Sequence, residues 1–191
     1  MIEIRIHGRG GQGNVVAAYL LAIAAFEEDR YAQAFPNFGA ERRGAPVTAF
    51  VRIADRPIRR RCQVREPAFL IIQDASLLHV PGITDGLQAN GSILVNSSED
   101  GDVLGAKLEH PVVALPASAL AQEILGRPLP NTALLSAFLA LTGLLPQSAL
   151  IQALGQRFQG KVLENNRQLV EQAAAQVTAG AWQEDIHAAS A

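Results

Sequence analysis

The chain has 191 residues, of which 49% are hydrophobic and 18% charged, a composition typical of a globular domain and not of a disordered segment. Its formal net charge of −2 gives no general attraction to nucleic acid or acidic membranes, so neither is expected as a partner. A single cysteine, Cys62, excludes a disulfide framework and a metal centre built from several cysteines of this chain.

The chain opens with a strand pattern followed by a helix pattern. Residues 2–6 alternate isoleucine with charged side chains and predict a strand, and the apolar residues 15–26 predict a helix. Asn14 precedes that helix and is expected to cap it, because its side-chain oxygen can accept a hydrogen bond from the first turn. Proline and glycine in residues 31–44 predict an irregular segment.

An arginine-rich stretch then predicts a hairpin. Residues 47–53 and 58–64 are both β-type runs, and the turn residues 54–57 separate them. The second run carries consecutive arginines at 59–61, which fit either an exposed edge strand protected by charge or a contact with an acidic partner such as ferredoxin. Cys62 is expected to be a small buried side chain on this strand.

The remaining elements alternate until the chain becomes wholly helical. Short apolar runs predict buried strands at 69–72, 92–96 and 112–115. Short helices are expected between them, at 76–79, 83–88 and 118–125. Longer helices are expected at 132–145, 147–158 and 162–177, and Asn131 is expected to cap the first of these.

This order of elements predicts an α/β fold. We expect three layers, α/β/α, around a mixed, Rossmann-like sheet with an inserted antiparallel hairpin and a helical C-terminal third. Residues 1–178 are expected to form a single domain, and residues 179–191, with little to bury except Trp182, a flexible C-terminal tail. Residues 132–145, the most apolar stretch, are shorter than the ~20 residues of a membrane span, and no export leader is visible, so a cytoplasmic location is expected.

The glycine-rich stretch between the first strand and helix is the strongest candidate site. Gly8, Gly10 and Gly13 satisfy the G-x-G-x-x-G spacing of dinucleotide-binding loops, in which free N–H groups at a helix start hold a phosphate. Arg9 could add a direct charge contact, although a tight turn alone would also require small residues. An acidic residue at the end of a second strand, which NAD binding requires, is missing, so a nicotinamide dehydrogenase is not favoured.

Three motifs together resemble a known family. They are His7-Gly8-Arg9-Gly10-Gly11-Gln12-Gly13, Tyr31-Ala32-Gln33-Ala34-Phe35-Pro36 and Phe38-Gly39-Ala40-Glu41-Arg42-Arg43-Gly44-Ala45-Pro46-Val47. This combination resembles the γ subunit of 2-oxoacid:ferredoxin oxidoreductases, in the pyruvate and 2-ketoisovalerate branch. The weaker motifs Asn131-Thr132-Ala133-Leu134-Leu135 and Glu164-Asn165-Asn166 extend the resemblance to about residue 178. The family usually has glycine near Ser136 and a Lys-Asn pair near Asn165, so the helical third departs from its pattern.

The resemblance implies a role within a larger enzyme. Such complexes decarboxylate a 2-oxoacid, such as pyruvate or 2-oxoglutarate, to an acyl-CoA and CO2, and they reduce ferredoxin. The γ part is expected to contribute structure and part of the coenzyme A site. Thiamine diphosphate, Mg²⁺ and the [4Fe-4S] clusters are expected on partner subunits of the alpha, beta and delta types, in agreement with the single cysteine here.

The predicted site residues follow from the loop and the resemblance together. No catalytic residue and no metal ligand is expected in this chain. The residues expected to contact coenzyme A are Gly8, Arg9, Gly10, Gly11, Gln12, Gly13, Asn14, Arg42 and Arg43. Two alternatives stay open at this point: a purely structural subunit without ligand contact, and a stand-alone nucleotide-binding oxidoreductase.

Three further residues have open roles. His7 lies at a strand end beside the loop, and a hydrogen-bonded packing role is favoured over that of a general base because nothing pairs it with a carboxylate. Phe35 and Phe38 are expected to pack either on a cofactor ring or against a neighbouring subunit.

Overall fold

The computed structural model describes residues 1–37 and 44–190. Its strands are β1 (Ile2–Arg9), β2 (Tyr31–Asn37), β3 (Pro46–Ala54), β4 (Phe69–Ile72), β5 (Ser92–Asn96) and β6 (Val112–Leu115). Its helices are α1 (Asn14–Glu27), α2 (Gly101–Leu108), α3 (Ala117–Leu125), α4 (Asn131–Thr142), α5 (Gln147–Gly155), α6 (Gly160–Ala175) and α7 (Gln183–Ser190), with a 3₁₀ helix at Ala75–His79.

The six strands form one mixed sheet in the order β2-β3-β1-β4-β5-β6. β1 lies inside the sheet, antiparallel to β3 and parallel to β4. The parallel half continues through β5 and β6, and β2 pairs with β3 to form the antiparallel edge. The carboxyl ends of β1 and β4 therefore lie side by side, which brings the glycine turn after β1 next to the residues that follow β4.

The alternation within β1 decides which face meets the main core. Ile2, Ile4 and Ile6 are buried in one cluster with side chains of α1, α4, α5 and α6. Each such side chain contributes roughly 1.5–3 kcal/mol on removal from water. A second, smaller core lies on the opposite face of β4 and β5, where Leu70 and Ile93 pack with Leu104 of α2. The predicted α/β class with a mixed sheet is confirmed.

The predicted hairpin is wrong in one of its strands. Residues 58–64 form no strand, and β3 pairs with β1 and β2 instead. Residues 31–37, expected to be irregular, form β2, because Ala32 and Ala34 pack against the main core. Pro36 is compatible with this strand because β2 lies at the sheet edge, where a missing N–H donor costs little.

The helical elements differ from the expectation in three places. Residues 83–88 form no helix, whereas the helix α2 at Gly101–Leu108 was not expected. Asp100 begins α2 by accepting hydrogen bonds from the N–H groups of Asp102 and Val103. The segment expected to be a flexible tail contains α7, and Trp182 is buried against the Phe69 ring with the ring centroids 5.9 Å apart. The domain boundary at residue 178 stays a prediction.

None of the helices within residues 1–37 and 44–190 combines the length and the apolar character that crossing a bilayer requires.

Candidate functional site

The glycine turn connects the end of β1 to the start of α1. Gly11 and Gly13 have φ angles of 98° and 80°, a left-handed conformation that glycine adopts without the steric penalty of a side chain. A Cβ atom at Gly13 would also lie 2.9 Å from Nδ2 of Asn131, at the start of α4. The conformation of the turn therefore favours glycine at position 13, and a Cβ there would also displace the side-chain amide of Asn131.

Gln12 holds the turn in shape. Its Oε1 accepts a hydrogen bond from the backbone N–H of Arg9 at 2.7 Å, and its own N–H donates to the carbonyl of Arg9 at 3.0 Å. Its Nε2 donates to Oδ2 of Asp74 at 2.9 Å. Gln12 thus closes the turn through Arg9 and links it to Asp74, which follows β4.

Arg9 is engaged within the chain. Its Nε lies 3.1 Å from Oδ2 of Asp74, its Nη2 donates to Ser76 Oγ at 2.7 Å, and its Nη1 donates to the carbonyl of Gly44 at 3.1 Å. The guanidinium therefore links the turn to β4 and to the segment before β3. This role is structural and stands beside the predicted contact with a phosphate.

Asp74 belongs to the candidate site through its contacts with Arg9 and Gln12 and was not predicted from the sequence. Partial burial raises the pKa of its carboxyl, but hydrogen bonds from Ser76 and Gln12 and the charge of Arg9 together lower that pKa below its usual value. The carboxylate is therefore ionised near neutral pH. Its position directly after a buried parallel strand was a usable signal, because such positions line the edge where ligands bind.

The start of α1 lacks a side-chain cap. Asn14 does not cap the helix as predicted, because it is the first helical residue, and its Nδ2 donates to the carbonyl of Val47 at 2.8 Å. The N-cap position belongs to Gly13, and the first turn contains no acidic residue. The positive end of the helix dipole is consequently not neutralised by a side chain of the first turn, which is the condition that favours an anion.

A cavity of about 310 Å³ lies beside this helix start. Its wall is largely apolar, and polar groups of Arg127, Asn131 and Asn165 lie around it. Asn131 does not cap α4 as predicted, because it is the first residue of the helix and Pro130 holds the N-cap position without a side-chain cap; the Asn131 side chain accepts a hydrogen bond from the N–H of Thr132 at 2.9 Å. The cavity and the glycine turn therefore share Asn131.

His7 is a half-buried, neutral side chain. Burial, and then the charge of Arg5, lower the pKa of its imidazole to about 3. Its Nδ1 lies 3.5 Å from Thr48 Oγ1, at the limit of a hydrogen bond, and its buried Nε2 has no partner among the described residues. The predicted hydrogen-bonded packing is thus present on one side of the ring only.

The depressed pKa of His7 makes stability depend on pH. The folded protein keeps His7 neutral down to about pH 3, whereas the unfolded chain binds a proton near pH 6.5. Below pH 6.5 the unfolded state binds more protons than the folded state. As the pH is lowered from 6.5 toward 3, the free energy of unfolding should therefore fall by up to about 1.4 kcal/mol per pH unit. Urea unfolding at pH 6.5 and pH 5 measures this slope.

The His7→Gln variant should show a smaller slope over the same range. His79→Gln, at an exposed position, controls for the loss of an imidazole as such. An equal slope in wild type and His7→Gln would show that the ring is solvated.

A protein-family comparison decides the class of this chain. The family model described as pyruvate ferredoxin/flavodoxin oxidoreductase matches residues 3–176, which include the glycine turn and almost all of the described fold. The chain belongs to this oxidoreductase family. The expected γ subunit of a 2-oxoacid:ferredoxin oxidoreductase is thereby confirmed.

Individual relatives agree with the family. The chain is 47% identical to the pyruvate synthase subunit PorC of Methanothermobacter thermautotrophicus, over 91% of this chain and 94% of that protein. It is 46% identical to the pyruvate/ketoisovalerate oxidoreductases common subunit gamma of Thermococcus kodakarensis, over 91% and 95%. The crystal structure of the pyruvate oxidoreductase subunit PORC of Thermotoga maritima superposes with a TM-score of 0.82 at 34% identity, covering 91% of this chain and 95% of that one.

The fold of this oxidoreductase subunit argues against NAD binding. In a dinucleotide-binding fold the strand after the first helix lies parallel to the first strand and ends in an acidic residue. Here β2 lies at the edge, antiparallel to β3, and ends at Asn37.

The structure of the oxidoreductase subunit describes most of the other predicted residues. Gly8 to Asn14 lie together in the turn and at the start of α1, whereas Arg42, Arg43 and Phe38 lie outside the described residues. Phe35 packs on Phe50, with ring centroids 5.3 Å apart. Within the part of the chain that the structure describes, no group of three or more His, Cys, Asp or Glu side chains could hold a metal ion.

Proposed function

We propose that this γ subunit contributes part of a coenzyme A site to a complex that oxidatively decarboxylates a 2-oxoacid, with pyruvate as the substrate. The products are an acyl-CoA, CO2 and reduced ferredoxin. Thiamine diphosphate, Mg²⁺ and the [4Fe-4S] clusters belong to partner subunits of the alpha, beta and delta types. The names of the relatives support pyruvate, and the turn after β1 supports the coenzyme A contact.

The uncapped start of α1 carries the proposal. No side chain caps the first turn of α1, so none competes with an anion for the free N–H groups there. The glycine turn also holds Gly11 and Gly13 in a conformation that lets the backbone approach a ligand closely. The phosphates of coenzyme A are ligands of this chemistry. Gly8 to Asn14 are therefore the proposed contacts, with Arg42 and Arg43 supplying guanidinium groups to the same phosphates.

The adjoining cavity supports the same ligand. Coenzyme A combines phosphates with an adenine ring and a largely uncharged pantetheine arm. The apolar wall that Leu20, Leu129 and Phe158 provide fits an uncharged part of such a molecule, and the shared Asn131 connects this wall to the glycine turn. One end of the ligand would then lie on the turn and the other in the cavity.

The Arg43→Ala variant is expected to raise the KM for coenzyme A of the assembled complex by about 10-fold or more, because a charge-assisted hydrogen bond is worth ~1.5–3 kcal/mol. The turnover number at saturating coenzyme A should change less. Arg167→Ala, which removes an exposed arginine on α6, is the matched control and should leave both constants unchanged. An unchanged KM in an Arg43→Ala complex that assembles normally would remove Arg43 from the site.

A purely structural role is the second candidate, and the geometry of Arg9 favours it. The three contacts of its guanidinium to Asp74, Ser76 and Gly44 lie within the chain, so the turn is held without a ligand. Photocrosslinking of a coenzyme A analogue to the intact complex distinguishes the two roles. Crosslinks mapped to residues 8–14 support the coenzyme A site, and their absence from this chain supports the structural role.

A further inference from the structure

The two faces of the antiparallel half of the sheet differ in character. One face carries isoleucine, valine and alanine into the main core. The opposite face carries Glu3, His7, Thr48, Phe50 and Arg52, which hold polar and aromatic contacts to one another. The helices α1, α4, α5 and α6 contribute to the main core and so lie on the first face, not on this polar one.

An irregular segment covers it instead. Residues 55–66, here called the arginine strap, cross the polar face and are hydrogen-bonded to it. The carbonyl of Ile58 accepts a hydrogen bond from Gln33 Nε2 at 3.3 Å, and Gln63 Nε2 donates to Asn37 Oδ1 at 2.9 Å. Val64, within the strap, is buried. The position of the strap is therefore fixed by hydrogen bonds to β2.

The outer side of the strap is strongly basic. Five exposed arginines lie along it, against the two carboxylates of Asp55 and Glu66, although the chain as a whole has a net charge of −2; the arginines are Arg56, Arg59, Arg60, Arg61 and Arg65. Asp55 pairs with Arg30 at 2.8 Å. No strap arginine forms an ion pair with an acidic side chain of residues 1–37 or 44–190. The predicted edge strand protected by charge is absent, so another reason for this charge is needed.

Groups beneath the strap also lack partners. Gln33 Oε1 and Arg52 Nη1 are buried without a hydrogen bond among the described residues, and so is Arg5 Nε. Two open grooves flank the strap: one runs along β2 past Gln33, and the other passes Arg5. A surface that filled these grooves would cover the strap as well.

We infer that the arginine strap is the docking surface for an acidic surface of another subunit of the same complex. The inference rests on the proposed function only in requiring that the chain be part of a multi-subunit oxidoreductase. Guanidinium groups suit such a contact because they pair with carboxylates through two parallel hydrogen bonds and are enriched at protein interfaces. The strap presents no aromatic side chain for stacking on nucleic acid bases, and the net charge opposes a polyanion.

Cys62 provides a direct test, because it is the single cysteine of the chain and, contrary to its predicted burial, lies exposed on the strap. Alkylation of Cys62 by a maleimide is followed by mass spectrometry of its peptide, in the free full-length chain and in the assembled complex. Docking on the strap should slow the reaction about 10-fold or more in the complex, because the thiol becomes inaccessible. Equal rates in the two states would overturn the inference.

Charge reversal gives the second test. The double variant Arg59→Glu and Arg61→Glu should raise the dissociation constant of the chain from the tagged remainder of the complex about 10-fold or more at low salt. The matched control is Arg157→Glu with Arg167→Glu, which makes the same charge change at exposed positions far from the strap in sequence. Thermal unfolding of each free chain reports on folding, and the strap variant should melt like the wild type, since its arginines have no internal ion pair.

The outcomes separate this inference from the proposed function. Co-purification of the wild-type chain confirms that it is a subunit, and the KM for coenzyme A reports independently on the glycine turn. A strap variant that assembles like the control would overturn the docking surface even if coenzyme A binding is confirmed. Normal assembly with a raised KM for ferredoxin, or with lost binding to a duplex DNA probe, would overturn it in favour of that other partner.

Discussion

Replacing Gly86 by alanine is expected to destabilise the chain by about 3–5 kcal/mol, the sum of a severe overlap and a strained backbone. Gly86 has a φ angle of 74°, which an alanine adopts only with strain. A Cβ atom there would also overlap the carbonyl oxygen of Arg65, a backbone atom that cannot rotate away. One of the two segments must move, and Arg65 belongs to the strap. Urea unfolding of the full chain measures the loss.

Gly126→Ala is the matched control for this substitution. Gly126 has a φ angle of 69°, and a Cβ atom there would meet nothing within 4 Å. Its replacement should therefore cost only the backbone strain, about 1 kcal/mol. The difference between the two variants isolates the contact between residues 86 and 65. Equal unfolding midpoints would mean that the strap does not pack on Gly86, and faster alkylation of Cys62 in Gly86→Ala would show the displaced strap directly.

Removing the carboxylate of Glu3 is expected to cost about 3–5 kcal/mol, because it leaves a buried arginine without its counter-charge. Arg52 is fully buried, and its Nε lies 2.6 Å from Oε1 of Glu3. The guanidinium also lies over the ring of Phe35, 5.5 Å from its centroid, which satisfies the charge only in part. The Glu3→Leu variant tests this expectation in urea unfolding.

The stability of the double variant Glu3→Leu with Arg52→Met is compared with that of Glu3→Leu alone. The double variant removes both charges and fills the space with apolar atoms, so it should recover most of the stability that Glu3→Leu loses. The surface pair of Arg30 and Asp55 gives a contrast, because Asp55 is 85% exposed and Asp55→Ala should cost at most about 1 kcal/mol. A double variant less stable than Glu3→Leu would show that the arginine itself stabilises the fold.

Local patterns predicted the strands of the core well. The alternating isoleucines of β1 and the short apolar runs of β4, β5 and β6 are patterns typical of buried strands. The glycine turn was predicted from its spacing, because left-handed backbone and a helix start demand glycine there. These features depend on residues that are neighbours in the chain, so the sequence alone carries the information.

The errors arose where distant residues decide the structure. Residues 58–64 have a strand-like composition, but β1 and β2 already occupy both edges of β3, so no strand position is left for them beside it. β2 exists because β3 and α1 bury its alanines, which nothing within its own proline-containing sequence indicates. Asp74 joined the site through contacts with Arg9 and Gln12, more than sixty positions earlier. Position in the sheet, and not propensity, settled these cases.

The central place of β1 has a consequence for how the chain acquires its fold. β1 is made first, yet its neighbours are β3, which ends at Ala54, and β4, which ends at Ile72. Until β3 has been synthesised, the isoleucine row of β1 has no strand beside it, and its other edge stays unpaired until β4 follows. The nascent chain must therefore hold an unpaired, aggregation-prone strand while the intervening residues are made, and the sheet closes around that strand late.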